Sequence, residues 1–346
     1  MPLSPLVPVV LSALLVSAAA TLILVRSAGR FARLLDRPNE RSLHRTPVPR
    51  TGGLAVLLGT LVAAALVLAS GPVEAVWGWV LGALSLVALV SFLDDRGEIG
   101  PLYRLAAHLG AALILMLGGL RWSVVELPGT ALPLPAMLAG LALLLFVVWM
   151  INLYNFMDGM DGFAAGMAGF GFAALAVLGW RAGDLEYALI TAAIAASAAG
   201  FLVGNFPPAR IFLGDLGSAS LGLLAAACAL VGSQRGLFPL WVAWLSFAPF
   251  IVDATWTLLR RALRGERLWQ AHRSHHYQRL VLAGWSHRRT LLWSYLLMGA
   301  GAATAVAAVG MSVGDQWRLL AAWAVIYLLI GYKIRLFERA KGAASR

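Results

Sequence analysis

Apolar residues fill the chain in long blocks, and the polar positions gather in the short gaps between them. A helix rises about 1.5 Å per residue, so roughly 20 consecutive apolar residues cross the hydrocarbon core of a bilayer. Blocks of that kind lie near 5–25, 52–70, 75–93, 103–120, 133–152, 162–180, 185–203, 213–232, 237–259, 290–310 and 317–336. The pattern predicts an all-α polytopic membrane protein with about eleven transmembrane helices, folded as one unit over residues 1–346. Glycine and alanine within the blocks allow close helix contacts. Residues 1–25 contain no basic residue, and Arg26 follows them. That is the reverse polarity of a cleaved signal peptide, so the block reads as a retained span. Between the fourth and fifth blocks, Pro128-Gly129 predicts a small hairpin within Arg121–Pro133. No internal repeat of the kind that builds the two halves of a transporter is visible.

Composition fits this pattern: 60% of residues are hydrophobic and 12% charged, against roughly 25% charged in a soluble domain. The net charge of +11 is almost all arginine. Of 27 Lys and Arg, 23 fall in or at the edges of 26–51, 94–102, 153–161, 204–212, 260–289 and the C-terminus. The other four are Arg121, Arg181, Arg235 and Arg318. An excess of basic residues marks the cytoplasmic side. The expected topology therefore has the N-terminus outside and the C-terminus in the cytoplasm. The charge is read as facing anionic lipid, with no nucleic-acid partner. Lys333 and Lys341 are the only lysines. Neither stands in a motif, which excludes P-loop chemistry and argues against a Schiff base. Cys228 is alone in an apolar run, so there is no disulfide framework.

The cytoplasmic segments carry the acids, amides and histidines. Asp94-Asp95 ends the third block; adjacent carboxylates repel unless a cation offsets them, and acids at a helix C-terminus oppose its dipole. A solvated helix end, or metal or phosphate-proton chemistry, would each use such a pair. Asn152, Asn155, Asp158-Gly159 and Asp161-Gly162 form a turn that lacks the remaining ligands of an EF-hand. Asn205 precedes a Pro-Pro break, and Asp215 opens the eighth block, where it serves either as a helix cap or as a hard oxygen ligand beside a diphosphate. His272, Arg273, His275 and His276 lie in a basic loop; anion binding suits that set better than zinc. Asp253, near the end of the ninth block, has Arg260 or Arg261 as an evident ion-pair partner. Polar groups gathered at helix ends on one side of a membrane are costly and usually functional. A transporter or channel, or a non-catalytic lipid-binding protein, is the rival class; a transporter predicts charges at mid-bilayer, and these blocks are nearly free of them.

Taken together, Asp-x-Pro-x-x-Arg41-x-x-His44, Pro-Arg-x-Gly-Gly at 49–53, Asp94-Asp95, Asn155-x-x-Asp158-Gly-x-Asp161-Gly, the Asn205–Asp215 block and the late histidines resemble the polyprenyl-phosphate N-acetylhexosamine-1-phosphate transferases. That family includes the O-antigen-initiating enzymes and the phospho-MurNAc-pentapeptide translocase. The resemblance covers nearly the whole chain. It implies Mg²⁺-dependent (Mn²⁺ possible) transfer of a sugar 1-phosphate from a UDP-sugar to undecaprenyl phosphate, releasing UMP. GlcNAc or a 6-deoxy-aminosugar is the implied sugar, the membrane is the bacterial inner membrane with the N-terminus periplasmic, the active site is cytoplasmic, and a homodimer is possible. It also implies roles. Asp215 holds the metal, with Asp158 beside it. Asp94, supported by Asp95, takes the acceptor's proton or positions it. Asn155 orients the site; Asp161, Asn205 and Phe212 hold uridine. His272, Arg273, His275, His276, Arg41 and His44 belong to phosphate and substrate contacts. The order His272-Arg-Ser-His275-His276 departs from the family's more compact histidine motif.

Overall fold

A computed structural model describes residues 5–27, 35–36, 48–97, 99–267 and 272–344. The chain is an α-helical, multi-pass membrane bundle. Among the described residues, nine helices are long and apolar enough to span a bilayer: α1 (Leu6–Arg26), α2 (Gly52–Ser70), α3 (Ala75–Gly97), α5 (Ala136–Met157), α6 (Phe163–Ala182), α7 (Leu185–Asn205), α8 (Gly214–Gln234), α12 (His287–Ala308) and α13 (Val313–Ala344). The fourth predicted span is the shorter α4 (Pro101–Leu117). The ninth is broken. α9 (Leu240–Ser246) and α10 (Ala248–Leu263) meet at an angle of 87° around Phe247. Pro249, which has no amide hydrogen to give, stands in the first turn of α10, where that loss is harmless. Hydropathy alone read one block because both halves are apolar. A further short helix, α11 (His276–Leu282), carries the end of the histidine motif.

α8 is the central post. Eighteen of its residues, from Gly214 to Gly232, are buried. It packs against α3, α5, α2 and α6, while α1 and α2 lie outside on α7. Small residues make that density possible. A Cβ at Gly222 would stand 2.5 Å from the Met150 carbonyl oxygen and 2.8 Å from the Ile151 Cα on α5. Backbone cannot yield as a flexible side chain does, so Gly222→Ala is expected to destabilise the folded bundle by about 1–3 kcal/mol. Thermal unfolding of the detergent-solubilised protein, read by tryptophan emission, measures it.

The two ends of the bundle differ. At one end Arg235 clamps three loops together, with ion pairs to Glu74 (2.9 Å), Asp184 (2.8 Å) and Glu186 (2.7 Å). The expected hairpin is there too, as β3 (Val124–Leu127) paired antiparallel with β4 (Thr130–Pro133). Glu126 anchors it by accepting from the Ser233 hydroxyl and the Leu240 amide, both at 3.1 Å. At the other end a second, unforeseen ladder joins β1 (Leu35–Asp36) to β2 (Val48–Pro49). β2 is tied to the 205–214 segment, because Phe212 donates its amide to the Pro49 carbonyl at 2.8 Å. Every acidic motif singled out in the sequence lies at this second end.

Candidate active site

The site is built where the C-termini of α3 and α5 meet the N-terminus of α8. Asp95, in the last turn of α3, accepts from the backbone amides of Asp215 (3.0 Å) and Leu216 (2.9 Å). These are among the first amides of α8, which have no partner inside their own helix. Asp95 therefore works as a cap donated by another helix, and both its oxygens are occupied. Gly214 makes the approach possible. Its φ is +75°, and a Cβ there would lie 2.9 Å from Asp95 Oδ2.

With α8 so fixed, Asp215 projects among polar groups. Asn155 Nδ2 donates to Asp215 Oδ1 at 2.9 Å and to the Ser218 hydroxyl at 3.1 Å. Arg104, on the first turns of α4, reaches Asp94 Oδ2 at 2.9 Å and Asp215 Oδ2 at 3.4 Å. Asp94 also accepts from the Ile99 amide at 2.6 Å. Both oxygens of Asp94 are thus engaged, one by the Ile99 amide and one by Arg104, an arrangement that suits a positioning group. Arg104 was not singled out in the sequence. Its only signal there is a lone arginine at the start of an apolar block, and its role appears once α3 and α4 pack side by side.

Asp158 caps the end of α5 beside this cluster. Burial, and then the neighbouring Asp215 and Asp95 carboxylates, push its carboxyl well above the ordinary 3.8, with Arg50 pulling the other way. The fold thus favours protonated Asp158. Stability from this group is complete below 3.8 and is lost as pH rises through the raised value. Asp158→Asn fixes the neutral form. In metal-free detergent its melting temperature is expected to decline less than that of the wild type as pH rises above 3.8. A parallel decline in both proteins would contradict the placement of Asp158 among like charges.

A second group adjoins the first. Asp161 Oδ2 accepts from the Ala209 amide at 3.0 Å, with His287 Nδ1 3.8 Å away. Asn205 is buried, takes the Gly162 amide on Oδ1 and gives Nδ2 to the Ile211 carbonyl, both at 2.9 Å. It joins two loops of the site, with both its oxygen and its nitrogen engaged by backbone. Of the two Asp-Gly pairs, Gly162 alone takes a positive φ, +70°. At Gly159 the Tyr277 hydroxyl instead occupies the space a Cβ would need.

The histidine motif is held from α10. Asp253 accepts from the His276 amide at 2.9 and 3.0 Å, with His276 Nδ1 at 3.3 Å and His275 Nδ1 at 3.6 Å. The expected pairing with Arg260 or Arg261 gives way to this arrangement; Arg261 turns to Glu266, at 2.8 Å. Tyr277 links the motif to the acids, its hydroxyl 3.5 Å from the Phe156 carbonyl and its ring 4.7 Å from Phe163. The His272 ring lies against His275, centroids 4.9 Å apart and tilted by 40°. Burial, helped by His275 and Arg261, lowers it to about 4. It is neutral near pH 7 and would meet a phosphate as a hydrogen-bond donor. Burial lowers His276 also, with Asp253 opposing. Phe212 is half-buried beside this end, bonded through its backbone to Pro49 and Gly52. Arg273 does not join the acids; it lines a separate pocket beside α11. Arg41 and His44 lie outside the described residues.

From Phe163, Asp253, His276 and Tyr277 an apolar cleft of about 630 Å³ runs between α10, α12 and α13. It passes Trp293 and Leu296, which are 59% and 64% exposed on the lipid-facing surface. One end of the cleft is polar and adjoins the acidic turn, and the other is open to hydrocarbon.

A membrane bundle whose acidic loops meet the mouth of a lipid-accessible cleft is the architecture of an enzyme acting on a membrane-bound substrate. The profile of glycosyl transferase family 4 matches residues 76–233, from α3 to α8. The "Probable undecaprenyl-phosphate N-acetylglucosaminyl 1-phosphate transferase" of Bacillus subtilis is 30% identical over 303 residues, covering 86% of this chain and 81% of the relative. The decaprenyl-phosphate N-acetylglucosaminephosphotransferase of Mycobacterium leprae is 32% identical over 298 residues, covering 76% and 73%. The undecaprenyl-phosphate alpha-N-acetylglucosaminyl 1-phosphate transferase of Haemophilus influenzae is 28% identical over 353 residues, covering 94% and 95%. The chain belongs to glycosyl transferase family 4.

Proposed function

We propose that this protein transfers N-acetylglucosamine 1-phosphate, or a closely related N-acetylhexosamine 1-phosphate, from its UDP-sugar to a polyprenyl phosphate such as undecaprenyl phosphate. The reaction takes place at the cytoplasmic face of the bacterial inner membrane and starts a cell-envelope polysaccharide. The observation that carries this reading is the convergence of Asp94, Asn155 and Asp215, with Arg104 between the two carboxylates and Asp158 close enough to feel the charge of Asp215, next to a lipid-open cleft. The relatives named for N-acetylglucosamine transfer to polyprenyl phosphates support the same chemistry. The charge asymmetry of the sequence supports the cytoplasmic placement.

In the proposed reaction an oxygen of the lipid phosphate attacks the β-phosphorus of the UDP-sugar. The new P–O bond forms as the bond to the bridging oxygen breaks, and that oxygen leaves with UMP. Such transfer needs in-line positioning and neutralisation of spreading charge more than covalent help. A phosphate monoester has its second pKa near 6, so the nucleophile is largely ionised at neutral pH and needs no strong base. Arg104 offers a fixed cation between Asp94 and Asp215, placed to meet phosphate oxygen. Asp95 keeps α8 in register, and the neutral His272 and His276 imidazoles donate hydrogen bonds. The tail of the acceptor lies in the apolar cleft while its phosphate meets the polar end.

The residues fit a magnesium ion. Among the described residues no three His, Cys, Asp or Glu side chains converge as a preformed cage. Mg²⁺, however, is commonly held by one or two carboxylates, waters and substrate phosphates. Asp215 and Asp158 supply two carboxylates, and like-charge crowding at Asp158 is what a divalent cation relieves. Bound there, the ion would neutralise charge on the donor diphosphate. Incubation of the purified protein with radiolabelled UDP-GlcNAc and undecaprenyl phosphate is expected to give a Mg²⁺-dependent lipid-linked product and UMP. If no lipid-linked product forms with any of a panel of UDP-N-acetylhexosamines, the reading fails.

A further inference from the structure

On the far side of α11 from Tyr277 lies a pocket of about 480 Å³ whose lining includes none of the acidic residues of the candidate site. Its lining includes five arginines, Arg260, Arg261, Arg264, Arg273 and Arg279, against two glutamates, Glu266 and Glu338. The two deepest arginines are already satisfied. Arg261 is 5% exposed and bonds Glu266 at 2.8 Å; Arg279 is 7% exposed and holds both oxygens of Glu338 at 2.7 Å. These ion pairs use both glutamates and set a rigid wall. Three guanidinium charges are left in excess around the opening. Among the described residues, no carboxylate comes within ion-pair distance of Arg260 or Arg273, and Arg264 has only Glu266, at 4.0 Å. Arg335 on α13 adds to the positive field felt by Arg260.

The position of this charge is as telling as its sign. α10 leaves its apolar stretch at Arg260, and α13 turns polar from Lys333 onward, so the pocket sits at the depth where helices pass from hydrocarbon to water. Leu282, 44% exposed, lines the opening, and Leu263, 81% exposed, stands next to Arg264 in the chain. An arginine-rich hollow with an apolar rim at a membrane interface matches a phosphate attached to acyl chains. Arginine reads phosphate through paired N–H donors, and basic pockets between membrane helices on the cytoplasmic side hold anionic headgroups. We propose that this pocket is a second phosphate site, taking the headgroup of an anionic membrane phospholipid beside the catalytic loop. The proposal does not rest on the transfer reaction. Its consequence is that α11, which carries His276 and Tyr277 on other faces, is braced by bound lipid.

The test uses the full chain in a neutral detergent, titrated with short-chain phosphatidylglycerol, with short-chain phosphatidylcholine, or with inorganic phosphate. Binding is read by native mass spectrometry. Wild type is expected to bind phosphatidylglycerol saturably and in preference to phosphatidylcholine. Arg260→Gln/Arg264→Gln is expected to bind phosphatidylglycerol roughly tenfold or more weakly while keeping its melting temperature and its transfer activity in detergent. Equal binding of the two lipids, or unchanged phosphatidylglycerol affinity in the variant, overturns the proposal. So does a site filled by inorganic phosphate, lost in the variant, that takes no phosphatidylglycerol; it would belong to a soluble phosphate. Transfer activity is measured separately, so loss of lipid binding and failure of the enzymatic reading are distinct results.

Discussion

Asp215→Asn is expected to lower the transfer rate by at least ~10²-fold, the scale of losing a preorganised charge stabiliser, without unfolding the chain. The substitution keeps the shape of the side chain and one carbonyl oxygen. Asn155 can therefore still donate to it, in place of the 2.9 Å bond it makes to Asp215. What disappears is a negative charge facing Arg104 and Asp158. Since that charge is crowded by Asp94 and Asp158, its removal should leave the melting temperature level or raised. Turnover in detergent and thermal unfolding of the same sample check both halves. A variant with near wild-type turnover would remove Asp215 from the reaction, and one that fails to fold would show that the carboxylate is needed for structure.

Asp95→Ala is expected to fail in the opposite way, through structure first. Two backbone amides at the start of a buried helix lose their acceptor, and leaving such groups unsatisfied costs about 1–3 kcal/mol each. α8 is the post on which α2, α3, α5 and α6 pack, so the loss spreads beyond the site. Both the melting temperature and kcat should fall. Asp95→Asn retains one acceptor oxygen and should recover part of the stability. If the alanine variant melts like the wild type and loses only activity, Asp95 touches substrate and the cap is incidental. The contrast with Asp215 matters because the sequence gives both residues the same look, an aspartate at the edge of an apolar block.

The architecture was largely legible because a bilayer imposes a strong rule on length and polarity. Block boundaries fell within a few residues of most helices, as with 52–70 against Gly52–Ser70. The break at Phe247 was hidden because a bend changes direction without changing hydropathy. The acidic motifs were legible as a group, since polar residues gathered at one end of apolar helices stand out against their surroundings. Division of labour among them was not. Asp95 and Asn205 are defined by which backbone amides they meet across the bundle, separations of more than a hundred residues for Asp95 and 43 for Asn205. Arg104 and His287 carried no motif to announce them. Arg273 sits two residues from His275 in the chain, yet the start of α11 directs it to a different pocket. Nothing in local sequence specifies which side of a short helix faces the site.

The central claim is that the carboxylates at this end of the bundle hold a divalent cation against the donor's linked phosphates. Mn²⁺ in place of Mg²⁺ makes the claim directly observable by electron-nuclear double resonance on the detergent-solubilised protein with UDP-GlcNAc. The account predicts phosphorus hyperfine coupling to protein-bound Mn²⁺ in the wild type, and loss of that bound species in Asp215→Asn. Mn²⁺ that binds equally well in the variant, or that shows no phosphorus coupling in the wild type, would contradict it.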